Sequence, residues 1–219
     1  MAESAPSVPR GRHAPPLEVR LERQRARLFA AAAAVFARVG YAEASAEAIS
    51  REAGMSKATF YEHFANKEEC ILALFDAAGE MVRTGVGAAT LANAAATPQQ
   101  RIHGGVRAFL AALEAYPDHA KTLLVEIIGA GPRAAERRDA VLQTMADLID
   151  AQNKVAHEQF GARRFASPDD VFAIVGAIVE LASRQLRCGR PEQIGDLEAV
   201  IERVVNGVLD QGTPGAAQP

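Results

Sequence analysis

The chain has 219 residues, of which 49% are hydrophobic but only 5% are aromatic, and its net charge of −3 is unevenly distributed. Residues 1–67 hold ten Lys and Arg against seven Asp and Glu, whereas residues 68–219 hold fourteen against twenty. The two cysteines, Cys70 and Cys188, exclude a disulfide framework and a cysteine zinc site, and they suit a reducing compartment. Because no apolar stretch fits a signal peptide or a membrane span, we expect a cytoplasmic protein with no membrane partner.

Apolar residues recur at helical spacing along most of the chain, and no segment alternates like a strand, so we predict an all-α fold. The first helix covers about residues 17–39 and ends at Gly40, a residue type that favours a left-handed cap. A short helix follows from Ser45, a good N-cap residue, to Ala53. Gly54 ends this second helix.

Two more helix starts follow closely. Ser56 is expected to cap a third helix, and Asn66 begins a fourth, with Glu69 placed as in a capping box. These closely spaced helix starts and ends predict two short helices joined by a tight glycine-containing turn. This is the pattern of a helix-turn-helix within a head of three helices.

The remaining segments predict a body of roughly six helices, divided by proline and glycine. One helix starts at Lys67 and reaches about Thr84, and the Gly/Ala-rich stretch up to Ala96 is left open between helix and loop. The other helices are predicted at about residues 98–115, in a short segment after Pro117, and at 133–160, 168–186 and 194–209. The predicted domains are a flexible arm over 1–16, a DNA-binding domain over 17–66, a ligand-binding and dimerisation domain over 67–210, and a flexible tail over 211–219.

The third helix has a polar outer face suited to DNA. On a helical projection Phe60 and Phe64 define the buried side. The opposite side and its rim carry small or polar residues, namely Lys57, Ala58, Thr59, Tyr61, Glu62 and His63. Small residues at the centre let a helix enter the major groove, and donors at the rim can bind phosphate. Helix starts at Ser45 and Asn66 offer further N–H groups to anions.

Each of these side chains also has an ordinary structural interpretation. Tyr61 is alternatively half-buried core, His63 a surface histidine without a partner, and Lys67 a solvated lysine at a helix start. Glu62 would be repelled by DNA unless it accepts a hydrogen bond from a cytosine amine. Arg10 and Arg12 form a basic arm suited to the minor groove, and a tail that touches nothing is the equal alternative.

The motif string is specific enough to identify a family. Gly40-Tyr41, Ser45, Ile49, the run from Ala53 to Phe64, and Asn66 to Glu69 resemble the head of TetR family transcriptional regulators. The resemblance covers about residues 20–75. Beyond it, only the number and order of helices agree.

The resemblance implies a dimer formed by the last two long helices, about residues 168–186 and 194–209. It also implies DNA contacts, mostly to phosphate, from the positions Ser45, Lys57, Thr59, Tyr61, His63 and Lys67. Glu47 departs from the family, because many relatives carry a basic or polar group there, and Glu62 is acidic as well.

The body is expected to hold a small, largely apolar ligand. The segment Val171–Leu181 is apolar on every side, as a helix would be between a dimer seam and an internal pocket. Glu180 interrupts it and would meet either an arginine across the dimer or a ligand. The predicted ligand-binding residues are Phe109, Leu113, Met145, Phe172 and Glu180, with ordinary core packing as the alternative for the four apolar ones. The spacing of the histidines predicts no metal site, and no cofactor is expected.

Together these features predict a homodimeric repressor that binds a palindromic double-stranded DNA operator and is released by its ligand. No motif of an enzyme active site is present in the sequence, so an enzyme is excluded. The alternatives are a ligand-independent helix-turn-helix module that binds DNA nonspecifically or binds protein, and an activator in place of a repressor.

Overall fold

A computed structural model of the chain describes residues 16–91 and 96–211. The predicted arm at Arg10 and Arg12 and nearly all of the predicted tail lie outside these residues. Within them the fold is all-α, as predicted. The helices are α1 (Leu17–Glu43), α2 (Ala46–Glu52), α3 (Lys57–His63), α4 (Lys67–Leu91), α5 (Pro98–Ala115), α6 (Pro117–Leu124), α7 (Pro132–Phe160), α8 (Pro168–Cys188) and α9 (Glu198–Asp210), with 3₁₀ turns at Glu126–Ala130 and Ile194–Leu197.

Gly40 interrupts α1 where the sequence predicts its end. Its φ is +81°, which favours glycine, but its ψ of 160° differs from that of a left-handed helix cap. The chain therefore turns at Gly40 and continues as one more helical turn to Glu43. The amide of Ala44 closes this turn by donating to the carbonyl of Gly40 at 3.2 Å.

Helix α4 is longer than the sequence pattern indicates. It continues through the Gly/Ala-rich stretch to Leu91, seven residues beyond Thr84. The physical reason is close packing against α5. A β-carbon at Gly104 would lie 3.4 Å from the carbonyl oxygen of Ala89, and one at Gly105 would lie 3.3 Å from Thr90 Oγ1. Small residues in this pair of helices thus bring the backbones together, and tertiary contacts override weak local propensity.

Two hydrophobic cores lie one after the other along the molecule. The first joins α1, α2, α3 and the start of α4 to residues of the body, among them Leu123, Ile127 and Ala134. The second joins α5, α7, α8 and α9. The head therefore shares its core with the α6 region. In the part of the chain that the structure describes, no helix has the length and apolar character needed to cross a membrane.

Candidate DNA-binding surface and body cavity

The turn between α2 and α3 is held by local contacts and by α1. Ser45 Oγ accepts a hydrogen bond from the amide of Ala48 at 3.1 Å, as expected of an N-cap. Gly54 has a φ of +63°, and the amide of Met55 donates to the carbonyl of Ser50 at 2.9 Å. Arg27 Nη2 on α1 donates to the carbonyl of Ala53 at 2.7 Å. These bonds set the angle between the two short helices.

Helix α3 presents a closed inner face and an open outer face. Ser56 caps it by accepting from the amide of Thr59 at 3.1 Å. Phe60 and Phe64 are buried, with ring centroids 5.5 Å apart. The outward residues Lys57, Ala58, Tyr61 and Glu62 are exposed, as the helical projection predicts.

The side chains of His63 and Thr59, both predicted to contact DNA, each contact another side chain of the head. His63 Nε2 lies 3.3 Å from Gln24 Oε1 on α1, so this histidine has a partner and is half-buried. The Thr59 hydroxyl lies 3.0 Å from Ser56 Oγ. Tyr61 stands edge-on to Phe60 and remains 51% exposed, so its ring lies at the edge of the core and not within it.

Lys67 has a structural role that the sequence does not predict. Its Nζ donates to the carbonyl oxygens of Tyr41 and Ala42 at 2.9 Å and of Ala44 at 3.0 Å. The ammonium also lies 4.6 Å from the centroid of the Tyr41 ring. Lys67 therefore caps the carbonyls left open after Gly40. Its partners are 23 to 26 residues away in sequence, so no local pattern reveals them.

The two acidic residues that depart from the family pattern are both exposed. Glu47 lies in the first turn of α2, where a carboxylate interacts favourably with the helix dipole. That position supplies a reason for its acidity without DNA. Glu62 lies on the outer face of α3, beside Tyr61.

The head is joined to the body by polar contacts around α6. Glu126 Oε2 accepts from the amide of Tyr41 at 2.9 Å, just after the turn at Gly40. Lys121 Nζ donates to the carbonyl of Ala37 at 2.6 Å, and the buried Thr122 hydroxyl donates to that of Ala33 at 3.3 Å. The end of α1 is thus bonded to α6 and to the 3₁₀ turn that follows it.

A narrow cavity of about 240 Å³ runs through the body between α4, α5, α7 and α8. Its wall follows one stripe of α7 from Arg138 to Ala156, about 27 Å at the helical rise of 1.5 Å per residue. This volume is below the ~300–1,000 Å³ of pockets for drug-sized ligands. Because it extends over such a length, the cavity is slender.

Three of the predicted ligand-binding residues lie in the wall, namely Phe109, Leu113 and Met145. Phe172 and Glu180 do not line the cavity. The side of α8 that faces the cavity carries Ile174 and Ile178 instead. The Glu180 side chain is 63% exposed and accepts from Arg187 Nη2 at 2.6 Å within the same helix. Neither of the partners expected for Glu180, an arginine across a dimer or a ligand, is therefore needed to explain it.

The wall is apolar apart from a few groups at its two ends. Arg138 lies at one end, and Arg101, Gln152 and Asn153 lie towards the other. Asn153 is already engaged, because its amide donates to the carbonyl of Arg163 at 2.9 Å. A second cavity of about 260 Å³ adjoins the Arg138 end, and Arg83 and Arg137 line it together with their ion-pair partners Glu80 and Asp76.

Comparison with known proteins assigns the head. Residues 28–74 match the model of bacterial regulatory proteins of the tetR family. This segment contains the turn at Gly54 and the whole of α3. A comparison with curated proteins gives no match.

Solved structures with the same fold cover most of the chain. The fatty acid degradation regulator FadR of Bacillus halodurans has a TM-score of 0.74 at 19% identity, covering 83% of this chain and 94% of that one. FadR of Bacillus subtilis in complex with stearoyl-CoA has a TM-score of 0.69 at 16% identity, covering 84% and 98%. The TetR family regulator PfmR of Thermus thermophilus has a TM-score of 0.64 at 22% identity, covering 82% and 94%.

These identities show a shared fold and leave the ligand of this chain to be established. The match of residues 28–74, the helix-turn-helix geometry and the order of the body helices agree with one another. Residues 28–74 therefore match the tetR family of bacterial regulatory proteins, and the chain shares the fold of the TetR family transcriptional regulator to which it is compared.

Proposed function

We propose that this chain is a homodimeric repressor that binds a palindromic operator and leaves it when a slender, largely apolar ligand enters the body cavity. The observation that carries the proposal is the outer face of α3, which is exposed and polar while Phe60 and Phe64 anchor its inner face in the core. A helix held in this way is suited to the major groove.

The DNA contacts are proposed at the predicted positions on α2, α3 and the start of α4. Ala58 leaves room at the centre of the α3 face, and Lys57 and Tyr61 carry exposed donors beside it. Thr59 and His63 lie on α3 beside this face, and Ser45 lies at the start of α2. Lys67 is the weakest member of the set, because three backbone carbonyls already hold its ammonium group.

The dimer is proposed to form through α8 and α9. Both helices keep half-buried apolar residues away from the cavity, among them Phe172 on α8 and Val204 on α9. A two-fold axis there would place two copies of α3 on one side of the assembly. The copies must lie ~34–36 Å apart to enter successive major grooves.

The ligand is proposed to contain a long aliphatic chain with an anionic end. The cavity is long, narrow and apolar, and an arginine lies towards each end of it. The structural likeness to a FadR complex with stearoyl-CoA supports this chemical class. A linear chain would lie along α7 beside Phe109, Leu113 and Met145, with its acidic group beside Arg138.

Coupling between cavity and DNA would pass through the α6 region. Leu123 and Leu124 line the cavity, while the adjacent Lys121 and Thr122 hold α1 by hydrogen bonds. A ligand that moves α6 would therefore move the head. Its differential affinity for the two arrangements sets the coupling, commonly ~1–3 kcal/mol.

The first test is selection of binding sites from random duplex DNA by the purified full-length protein at near-physiological salt. We expect one inverted repeat, and the Lys57→Ala and Tyr61→Ala variants should bind it more weakly. Recovery of no consensus by a folded dimer would instead indicate a nonspecific or partner-binding module, as would binding to all sequences that rises equally as salt falls.

The second test uses the recovered operator and stearoyl-CoA as the probe ligand. We expect it to release the wild-type protein, and we expect Ile178→Phe, which fills the cavity, to bind the probe at least tenfold more weakly. Ile128→Phe is the matched control, because Ile128 is exposed and lies outside the wall. Equal effects of the two substitutions would contradict a ligand in this cavity, while leaving operator recognition intact.

A further inference from the structure

A histidine and two glutamates from distant parts of the chain meet on the surface of the body. His103 lies on α5, and Glu198 and Glu202 lie one turn apart at the start of α9. His103 Nε2 is 3.1 Å from Glu198 Oε1, and its Nδ1 contacts Glu202 Oε1. One potential ligand atom from each of the three residues lies within 4.8 Å of the others.

The arrangement places a carboxylate against both nitrogens of a single imidazole ring. A neutral imidazole has one N–H donor and one lone pair, so only one of the two carboxylates can accept from it. The other oxygen would face the lone pair of the remaining nitrogen. Either a second proton or a cation between the groups removes this conflict. A divalent cation also balances the two carboxylate charges, which one proton on the ring does not.

We propose that His103, Glu198 and Glu202 form a binding site for a first-row divalent transition-metal ion, which joins α5 to α9. Imidazole nitrogen together with carboxylate oxygen is a donor set that suits zinc and its neighbours, whereas magnesium and calcium prefer oxygen alone. Zinc binds such donors at about 2.0–2.2 Å. An ion on one ring nitrogen would require the carboxylate at the other nitrogen to rotate towards it, which the partial exposure of the side chains allows.

The three side chains are accessible and also partly held in place. His103 is 45% exposed, and the two glutamates are 30% and 31% exposed, so an ion can enter from solvent. Glu198 and Glu202 are four residues apart on one helix and therefore face the same side. Three protein ligands leave further coordination positions for water.

The site lies directly behind the cavity wall. Ile102, beside His103, and Val205, three residues after Glu202, both line the cavity. An ion bound at the surface would hold α5 and α9 at a set distance and so oppose widening of the cavity. The bound ion thus makes the body more resistant to unfolding and links metal supply to ligand entry.

The test uses full-length, untagged and metal-free protein carrying Cys188→Ser, which removes the exposed thiol as a competing ligand. Titration calorimetry with Zn²⁺ alone should give one ion per chain. His103→Gln and Glu202→Gln should each weaken binding at least about tenfold, because even outer-shell changes cost about 10–100-fold. Glu114→Gln and His157→Gln, which alter the same residue types elsewhere in the body, should leave the affinity unchanged.

A second measurement is independent of calorimetry and of folding stability. Co²⁺ added to the metal-free protein should give visible absorption bands, which the His103→Gln and Glu202→Gln variants lose while their circular dichroism is unchanged. Zn²⁺ should raise the melting temperature of wild type and of the Glu114→Gln and His157→Gln controls, but not that of the two ligand variants. Absence of saturable Zn²⁺ binding, or equal binding by wild type and the two ligand variants, would overturn the proposal.

Discussion

The core of the head is closed, whereas the core of the body surrounds a long cavity. Phe36, Ile49 and Phe60 are each 0% exposed in the first core. In the second core, Phe109 and Met145 are half-buried along a cavity of about 240 Å³. A helix that contacts DNA needs a fixed orientation, whereas a ligand-binding domain needs an internal volume that a ligand can fill. Under the proposed function, the closed core would fix the DNA-contacting helix and the cavity would leave room for a ligand.

The largest expected effect is the loss of an aromatic ring from the closed core. Phe60→Ala should lower the free energy of unfolding by about 3–5 kcal/mol, since the ring is wholly buried and its removal leaves a void. Phe109→Ala should cost clearly less, because it widens an existing cavity. Chemical denaturation of both variants measures the difference, and equal losses would remove the contrast between the two cores.

The next effect separates capping from DNA contact at two lysines. Lys67→Met leaves three carbonyls without their donor and should cost about 1.5–3 kcal/mol. Lys57→Met, at an exposed position, should change stability by less than about 0.5 kcal/mol. It should instead reduce by about one the number of ions released on operator binding, which is measured from the slope of log affinity against log salt concentration. If Lys67→Met leaves stability unchanged but weakens DNA binding, the main role of Lys67 is to contact a DNA phosphate and not to cap the carbonyls.

Replacing an isoleucine by phenylalanine should change the free energy of unfolding by a smaller amount, and the change should have opposite signs in the two cores. Ile49→Phe overfills the head and should destabilise it by about 1–3 kcal/mol. Ile178→Phe projects into the cavity and should stabilise the body by about 0.5–2 kcal/mol. Thermal unfolding of the two variants provides the comparison. Destabilisation by Ile178→Phe would mean that the cavity is not available for additional side-chain atoms.

The smallest effect concerns the two thiols and changes no stability. Burial raises the pKa of the Cys70 thiol to about 12, whereas Cys188 is exposed. At pH 8 Cys70 is therefore almost wholly protonated and unreactive, because the thiolate is the nucleophile. Mass spectrometry after alkylation should find one modified thiol, Cys188, in the native protein and two after denaturation. Modification of native Cys70 would indicate opening of the head core.

The sequence predicts those features that local contacts decide. The caps at Ser45 and Ser56 depend on partners three residues away, and the glycine at position 54 is needed for a positive φ. The buried side of α3 follows from two phenylalanines four residues apart. For these reasons the helix-turn-helix could be located, and its outer face described, from the sequence alone.

Contacts between distant residues could not be predicted in this way. Glu126 and Tyr41 are 85 residues apart, and His103 and Glu202 are 99 apart, so no spacing along the chain connects them. The orientation of α8 was ambiguous for a different reason. Its apolar residues surround the helix, so the sequence could not tell that Ile178 faces the cavity and Phe172 does not.

The hydrogen bond from the amide of Tyr41 to Glu126 has a consequence for protein engineering. The predicted DNA-binding domain ends before Lys67. Its first helix is nevertheless supported by hydrogen bonds to residues of the body, namely Lys121, Thr122 and Glu126. A fragment cut after residue 66 would lack these supports and the buried side chains of Leu123 and Ile127. Grafting this specificity onto another regulator would therefore require moving the α6 segment together with the reading head.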